Sequence, residues 1–127
     1  MAEDRARWLA LDTASAADLH AHYHGLAHAA ASGDPPLVLW ARCTEPHICL
    51  GPHQDANAEL ALDGEGRAGG MPVLRREPGG GTVYVDGGQR VFAFVVPRAR
   101  MPLRPHALFE RLLPAVTAAY ARLGLAV

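Results

Sequence analysis

Apolar positions along the chain fall into short runs broken by Gly, Pro and acidic residues. Arg7–Leu11 is a brief apolar run that predicts a strand ending at Asp12-Thr13. Those two residues offer an N-cap for Ala14–Ala31, where Leu19, Tyr23, Leu26 and Ala30 recur at helical intervals among helix-favouring alanines. Ser32-Gly33-Asp34-Pro35-Pro36 ends that helix, because Gly suits the position after the last turn and Pro cannot continue it. Leu37–Trp40 reads as a buried strand and His47–Gly51 as a shorter one, with a brief helix over Asn57–Leu62 and a flexible surface loop over Asp63–Gly70. Val73–Arg76, Thr82–Val85 and Gln89–Val96 have strand composition, and Asp86-Gly87-Gly88 between the last two predicts a β-hairpin. Arg104–Leu123 carries a helical stripe of Leu108, Leu112, Ala115, Val116, Ala119 and Leu123. Pro105 fits its first turn, Pro114 should kink or divide it, and Gly124 is placed to cap it. Leu125-Ala126-Val127 has the look of a further strand beginning. Early alternation of strand and helix, followed by strands, predicts an α/β (α+β) class: one mixed β-sheet with flanking helices.

Length adds that residues 1–127 make one domain. Half of the residues are hydrophobic, but 24 of these are Ala, so the core is thinner than the composition suggests. Twelve basic against thirteen acidic residues leave a net charge of −1, which gives no surface for nucleic acid or an anionic membrane. No apolar run approaches the ~18 residues that cross a bilayer, and nothing resembles a secretory leader; a cytoplasmic protein is the expectation. All twelve basic residues are Arg, so Schiff-base and P-loop lysine chemistry are excluded within these residues. Cys43 and Cys49 are too few for a disulfide framework, lack metal-type spacing, and read as small buried residues.

Candidate chemistry concentrates in Arg75-Arg76-Glu77-Pro78-Gly79-Gly80-Gly81-Thr82-Val83-Tyr84-Val85-Asp86. Three glycines between two strands can turn backbone N–H groups toward an anion, and two arginines before them carry forked donors that suit phosphate or carboxylate. Val83 and Tyr84 could line a pocket beside them. Read from these residues alone, a Gly-rich loop with surface arginines is an equal alternative. The pattern lacks the Gly-Lys-Ser/Thr of a Walker loop and the directly following helix of a dinucleotide fingerprint. His20, His24 and His28 recur every four residues on the first predicted helix, with His22 nearby. Without a carboxylate or Cys at useful spacing they read as a solvated helix edge, and no metal site is expected. His106 reads as exposed, and Ser15 and Ser32 as helix-end caps, so no Ser-His-Asp set can be assembled.

Arg-Arg-x-x-Gly-Gly-Gly-x-Val-Tyr-x-Asp over Arg75–Asp86 resembles the signature of the lipoate–protein ligase A family, within the wider group of biotin ligases, lipoate ligases and octanoyltransferases. Leu50-Gly51-Pro52-His53-Gln54 is similar to that family's upstream Leu/Ile-Gly-x-x-Gln element. The resemblance spans nearly the whole chain. It implies a biotin/lipoate ligase-like fold whose sheet continues with strands after Val127, making residues 1–127 a single partial domain. It also implies that ATP, with Mg2+, and lipoate or octanoate are substrates, joined as an acyl-adenylate and passed to a lysine of a lipoyl-acceptor protein. Carried over by position, Arg76 would contact the nucleotide, and Gly81, Thr82, Val83 and Tyr84 would bed the adenylate. Arg75, Gly79 and Gly80 would shape the same wall, while Gln54, His53 and Asp86 would stand at the pocket edge.

Two departures stand out. Val85 occupies the position where the family usually has His, and the family's essential lysine, found in a later Gly-containing segment, has no counterpart here. No catalytic residue of the family is therefore assigned within this chain. The expected function is a lipoate–protein ligase-type protein, or one part of a split ligase whose lysine arrives on a second chain, not competent alone. The alternative is a non-catalytic lipoyl- or nucleotide-binding, or protein-interaction, module of the same family. Cys43 and Cys49 do not stand where the thiolate route to octanoyl transfer would need them. A sheet lacking its later strands would expose an apolar face, so self-association or pairing with a partner is expected.

Overall fold

A computed structural model describes residues 5–101 and 104–126. The chain runs β1 (Arg7–Ala14), α1 (Ala16–Ala29), β2 (Leu37–Cys43), β3 (His47–Leu50), α2 (Ala56–Glu59), β4 (Val73–Arg75), β5 (Val83–Val85), β6 (Val91–Val95), a 3-10 turn (Arg98–Arg100) and α3 (Pro105–Arg122).

The strands form two small mixed sheets. In the first, β2 lies between a parallel β1 and an antiparallel β6; in the second, β3 lies between a parallel β4 and an antiparallel β5. The expected hairpin between Thr82–Val85 and Gln89–Val96 is therefore absent. Asp86-Gly87-Gly88 does turn the chain, with the Asp86 carboxylate accepting from Gly88 N at 2.8 Å, but it sends the strands on either side into different sheets. Sequence-local turn chemistry is satisfied equally by either outcome. The choice is made by β3, whose His47, Ile48 and Cys49 pair with Val85, Tyr84 and Val83.

β1 and α1 also differ from expectation at their junction. Parallel pairing continues past Asp12-Thr13 to Ala14 opposite Cys43, so the helix starts two residues later, at Ala16. Ser15 becomes the N-cap, its hydroxyl accepting from Asp18 N, while the Glu45 carboxylate accepts from Ala16 N at 2.9 Å. A carboxylate at this end suits the helix dipole. α1 then bridges both sheets. Ala16 and Leu19 pack with Ala14, Ala41, Cys43 and Val85, flanked by Leu11, Tyr23, Leu74 and Val91.

The opposite face of the first sheet carries Trp8, Val38, Trp40, Phe92 and Phe94, with the two indoles stacked 6.0 Å apart. α3 covers this face loosely, leaving an apolar cavity of about 280 Å³ bounded by Val116, Ala119 and Tyr120. None of the helix's residues is fully buried, and Leu123 is 73% exposed. α3 passes through Pro114 as one helix rather than dividing there. Its end follows the expected chemistry: Gly124 adopts φ +75°, and the N–H groups of Gly124 and Leu125 donate to the carbonyls of Ala121 and Tyr120. The expected strand at Leu125-Ala126-Val127 is not formed at residues 125 and 126, and Val127 lies outside the described residues. No described helix is long and apolar enough to cross a membrane.

Candidate functional site

The end of β3, the end of β4 and the glycine segment before β5 converge. Leu50 and Arg75 are register partners in the parallel pair, and Arg76 N donates to Leu50 O at 2.9 Å, extending the ladder by one bond. Because side chains alternate across a sheet, Arg75 and Arg76 leave β4 on opposite sides. Arg75 turns to the loop after β3, where its Nη1 donates to Gly51 O and Gln54 O at 2.7 Å and to Pro52 O at 3.4 Å. Arg76 reaches the other way. Its Nη1 donates to Cys49 O (3.2 Å) and faces Cys49 Sγ (3.5 Å), and its Nη2 donates to Gly79 O (3.2 Å) and Gly81 O (2.7 Å).

The glycine segment thus wraps around one guanidinium, and two glycines are required for that wrap. Gly80 sits at φ +108°, and a Cβ there would come within 2.8 Å of Arg76 Nη2. A Cβ on Gly51 would run into the carbonyl oxygen of Gly80. Gln54 locks the same junction: its Oε1 accepts from Gly51 N at 2.9 Å and from the Thr82 hydroxyl at 3.0 Å. The Leu-Gly-x-x-Gln element and the glycine segment are in this way two halves of one structure.

Gly79, Gly80 and Gly81 are exposed, as are Val83 and Tyr84. The last two belong to opposite faces of their sheet. Val83 pairs with Cys49 and shares the face of the Arg76 guanidinium, whereas Tyr84 pairs with Ile48 across the sheet. The Tyr84 hydroxyl is held above its ordinary pKa by local desolvation and by the Asp86 carboxylate. His53 is exposed, and Asp86 caps its own turn.

Behind Arg76 stands a cluster that the sequence does not mark as a site. His20 and His47 are both buried, at 6% and 0% exposure, and their Nε2 atoms lie 3.2 Å apart. His47 Nδ1 lies 3.0 Å from the Glu45 carbonyl, which can only accept, so Nδ1 carries the proton. A neutral His47 then accepts at Nε2 from His20 Nε2–H, and His20 Nδ1 accepts the Tyr23 hydroxyl at 2.6 Å. One directional chain, Tyr23 to His20 to His47 to the Glu45 carbonyl, satisfies every ring nitrogen with both imidazoles neutral. Burial, then His47, His24 and Arg76, push the His20 pKa down to about 4. Burial also raises the Tyr23 phenol and the Cys43 thiol above their ordinary values.

Further along α1, His24 Nε2 accepts from Glu77 N at 3.1 Å, and His28 Nε2 lies 2.8 Å from the Glu77 carboxylate. The hydrogen bond to His28 holds the Glu77 carboxyl below its usual range. The reading of His20, His24 and His28 as a solvated edge is corrected here: His20 is buried, His24 is half-buried, and of the three only His28 is exposed. Their helical spacing was visible in the sequence; their partners, His47 and Glu77, lie 27 to 53 residues away and were not. Among the described residues, no group of three or more His, Cys, Asp or Glu is placed to hold a metal.

The arrangement can do one thing well. The Nη2 donors of Arg76 bond exposed carbonyls, so an anionic oxygen can replace them, while the Nη1 bonds toward Cys49 keep the guanidinium in position. The cavity under α3 has no comparable polar group among its lining residues and does not reach this junction.

The fold is shared with solved structures. A lipoate-protein ligase A bound with ATP superimposes with a TM-score of 0.74 at 25% identity, covering 95% of this chain and 48% of that one. The T. acidophilum protein Ta0514, described as a lipoate protein ligase and bearing lipoic acid, gives 0.76 at 27% identity, covering 95% and 49%. A bi-partite lipoate protein ligase studied with its E2 lipoyl domain from Thermoplasma acidophilum gives 0.65 at 24% identity, which speaks for the fold alone. The chain thus spans about half the length of the structures it matches. No curated protein sequence matches it significantly. Residues 16–127 match the family model of the lipoyl protein ligase A/B catalytic domain. With the two motifs joined at Gly51, Gln54 and Gly80 and the fold shared, the chain belongs to the lipoyl protein ligase A/B catalytic domain family.

Proposed function

We propose that these residues are the nucleotide- and acyl-adenylate-binding part of a lipoate–protein ligase, one that acts with a lysine supplied from outside the 127 residues. The observation that carries this reading is the guanidinium of Arg76 inside the Gly79–Gly81 segment, bound through carbonyls that a phosphate can displace. ATP on one relative and lipoic acid on another support the same substrates here.

In the proposed reaction a carboxylate oxygen of lipoate or octanoate bonds to the α-phosphorus of ATP, the α–β bridging P–O bond breaks, and pyrophosphate leaves. A lysine amine of the acceptor then takes the acyl carbon, and AMP departs with the bonding pair. Arg76 would meet the α-phosphate as charge develops there, helped by N–H groups of Gly79–Gly81 once their carbonyls are released from Nη2. Arg75 and Gln54 would hold the Gly51 side of the wall, Thr82 and Val83 its floor, and Tyr84, His53 and Asp86 its margin. Mg2+ would enter on the nucleotide's phosphates, in keeping with its habit of binding through phosphate and a few carboxylates.

The lysine is the missing element. With none in the sequence, an ammonium bridging the acyl carbonyl and the phosphate has to come from a further segment or a second chain. The exposed apolar face around Trp8, Trp40, Phe92 and α3 offers area for a second ligase chain, or for self-association. The alternative, a binding module without turnover, is favoured by that same lack of lysine.

ATP–pyrophosphate exchange separates the two. The 127-residue chain alone is expected to show no lipoate-dependent exchange, and addition of a lysine-bearing ligase segment should restore it in wild type but not in Arg76→Gln. No exchange under any combination, with intact binding of a lipoyl-adenylate analogue, would establish the module instead.

A further inference from the structure

His20, His24 and His28 of α1 have no part in the motifs above, yet His20 stands behind Arg76 and the other two bond Glu77. A buried pair of imidazoles is costly to place in a core and persists only when fully hydrogen-bonded. Here it is, and the chain of bonds pins α1 to β3 at His20 and His47. One turn later, His24 stands where its Nε2 meets the backbone N–H of Glu77, the first of the two residues between Arg76 and the glycines. Two turns later, His28 reaches the Glu77 side chain.

We infer that His24 is a positioning residue for the Arg76–Gly81 loop, held in place by the His20–His47 contact and assisted by His28. The far side of the loop after Arg76 is held by the Nη2 bonds to Gly79 O and Gly81 O, and its near side by how its first residue is fixed. Arg76 N is fixed by Leu50 O, and Glu77 N by His24. Together these bonds aim residues 79–81 back over the guanidinium. As an acceptor from a backbone N–H, His24 Nε2 is unprotonated, with its ring proton on Nδ1. The edge of the Tyr23 ring, 4.4 Å between centroids, sets the ring's orientation. His28 contributes less, because its contact with the Glu77 carboxylate is open to solvent on both sides.

This inference rests on the proposed binding role of the loop, but its first test does not. Amide hydrogen exchange is measured by NMR on ligand-free protein for wild type, His24→Leu and His24→Gln; glutamine keeps an acceptor near the Nε2 position. Exchange at Glu77, whose N–H is bonded to His24, is expected to accelerate at least tenfold in His24→Leu and to return to within about threefold of wild type in His24→Gln, while the amide shifts of Gly79–Gly81 move in His24→Leu and return in His24→Gln. Protection of β2 should be unchanged in both. If His24→Leu unfolds, His24→Ala removes the acceptor without adding bulk and is read the same way. Unaltered loop exchange, or acceleration spread evenly through both sheets, overturns the positioning role. Calorimetric titration with a non-hydrolysable lipoyl-adenylate analogue follows, with affinity expected to fall about tenfold in His24→Leu and to recover in His24→Gln. Failure of every protein, wild type included, to bind the analogue overturns the functional reading while leaving the exchange result to decide the role of His24. Equal binding by all three overturns the link between loop position and affinity.

Discussion

Arg75 and Arg76 are chemically identical neighbours with different tasks, and the pleat of β4 decides which is which. Arg75 clamps three carbonyls of the Gly51–Gln54 loop; Arg76 organises the glycines. The motif named both residues, but their separate partners depend on strand register, which no local pattern encodes. Gly51 is the sharpest single-residue test of this packing, since any side chain there meets a backbone carbonyl rather than a flexible tip. Gly51→Ala is expected to cost about 1–3 kcal/mol, as overpacking against unyielding neighbours generally does. Urea denaturation measures it, and a midpoint equal to that of wild type would show that the two motifs do not touch. Gly79 and Gly81 differ: nothing lies within 4 Å of a Cβ at either, and of the three consecutive glycines only Gly80 has a positive φ.

At the scale of elements, α1 explains why the second sheet stays where it is. Its apolar side was legible from Leu19 and Tyr23, and its polar side was misread because burial of His20 requires His47 from β3. Likewise the Asp86-Gly87-Gly88 turn was legible but the pairing of β5 was not, because pairing with β3 is a contact across more than thirty residues of sequence. The histidine pair also makes a pH prediction. The His20 pKa falls from its ordinary 6.5 to about 4 on folding, so between those values the unfolded chain binds more protons than the folded one. Stability is then fully present above pH 6.5 and is lost as pH falls toward 4, by about 1–2 kcal/mol once solvent screening is allowed for. His47, His24, Tyr23 and Arg76 face the ring, and none of them offers it a counter-charge. Urea midpoints measured from pH 4 to pH 7 should fall more steeply in wild type than in His20→Gln. Parallel profiles would show that His20 is not titrating between the folded and unfolded states.

For the whole molecule, two surfaces compete for attention. One is the apolar hollow between the first sheet and α3, lined by aromatic rings with no charged side chain among them. The other is the junction at Arg76, which has the donors, and an activated carboxylate carries its charge on phosphate. Chemistry favours the second. The family and its mixed α/β fold were legible in the sequence because the two motifs survive as local strings. The brace behind them was not, being assembled from residues on α1, β3 and the loop after β4. Titrating a non-hydrolysable lipoyl-adenylate analogue into wild type and Arg76→Gln, while following amide chemical shifts, tests the binding role of the Arg76 junction. Saturable binding is expected in wild type with the largest shifts at residues 51–54 and 76–83, and at least tenfold weaker binding in Arg76→Gln. Equal affinity in the two proteins, or shifts confined to β6 and α3, would contradict it.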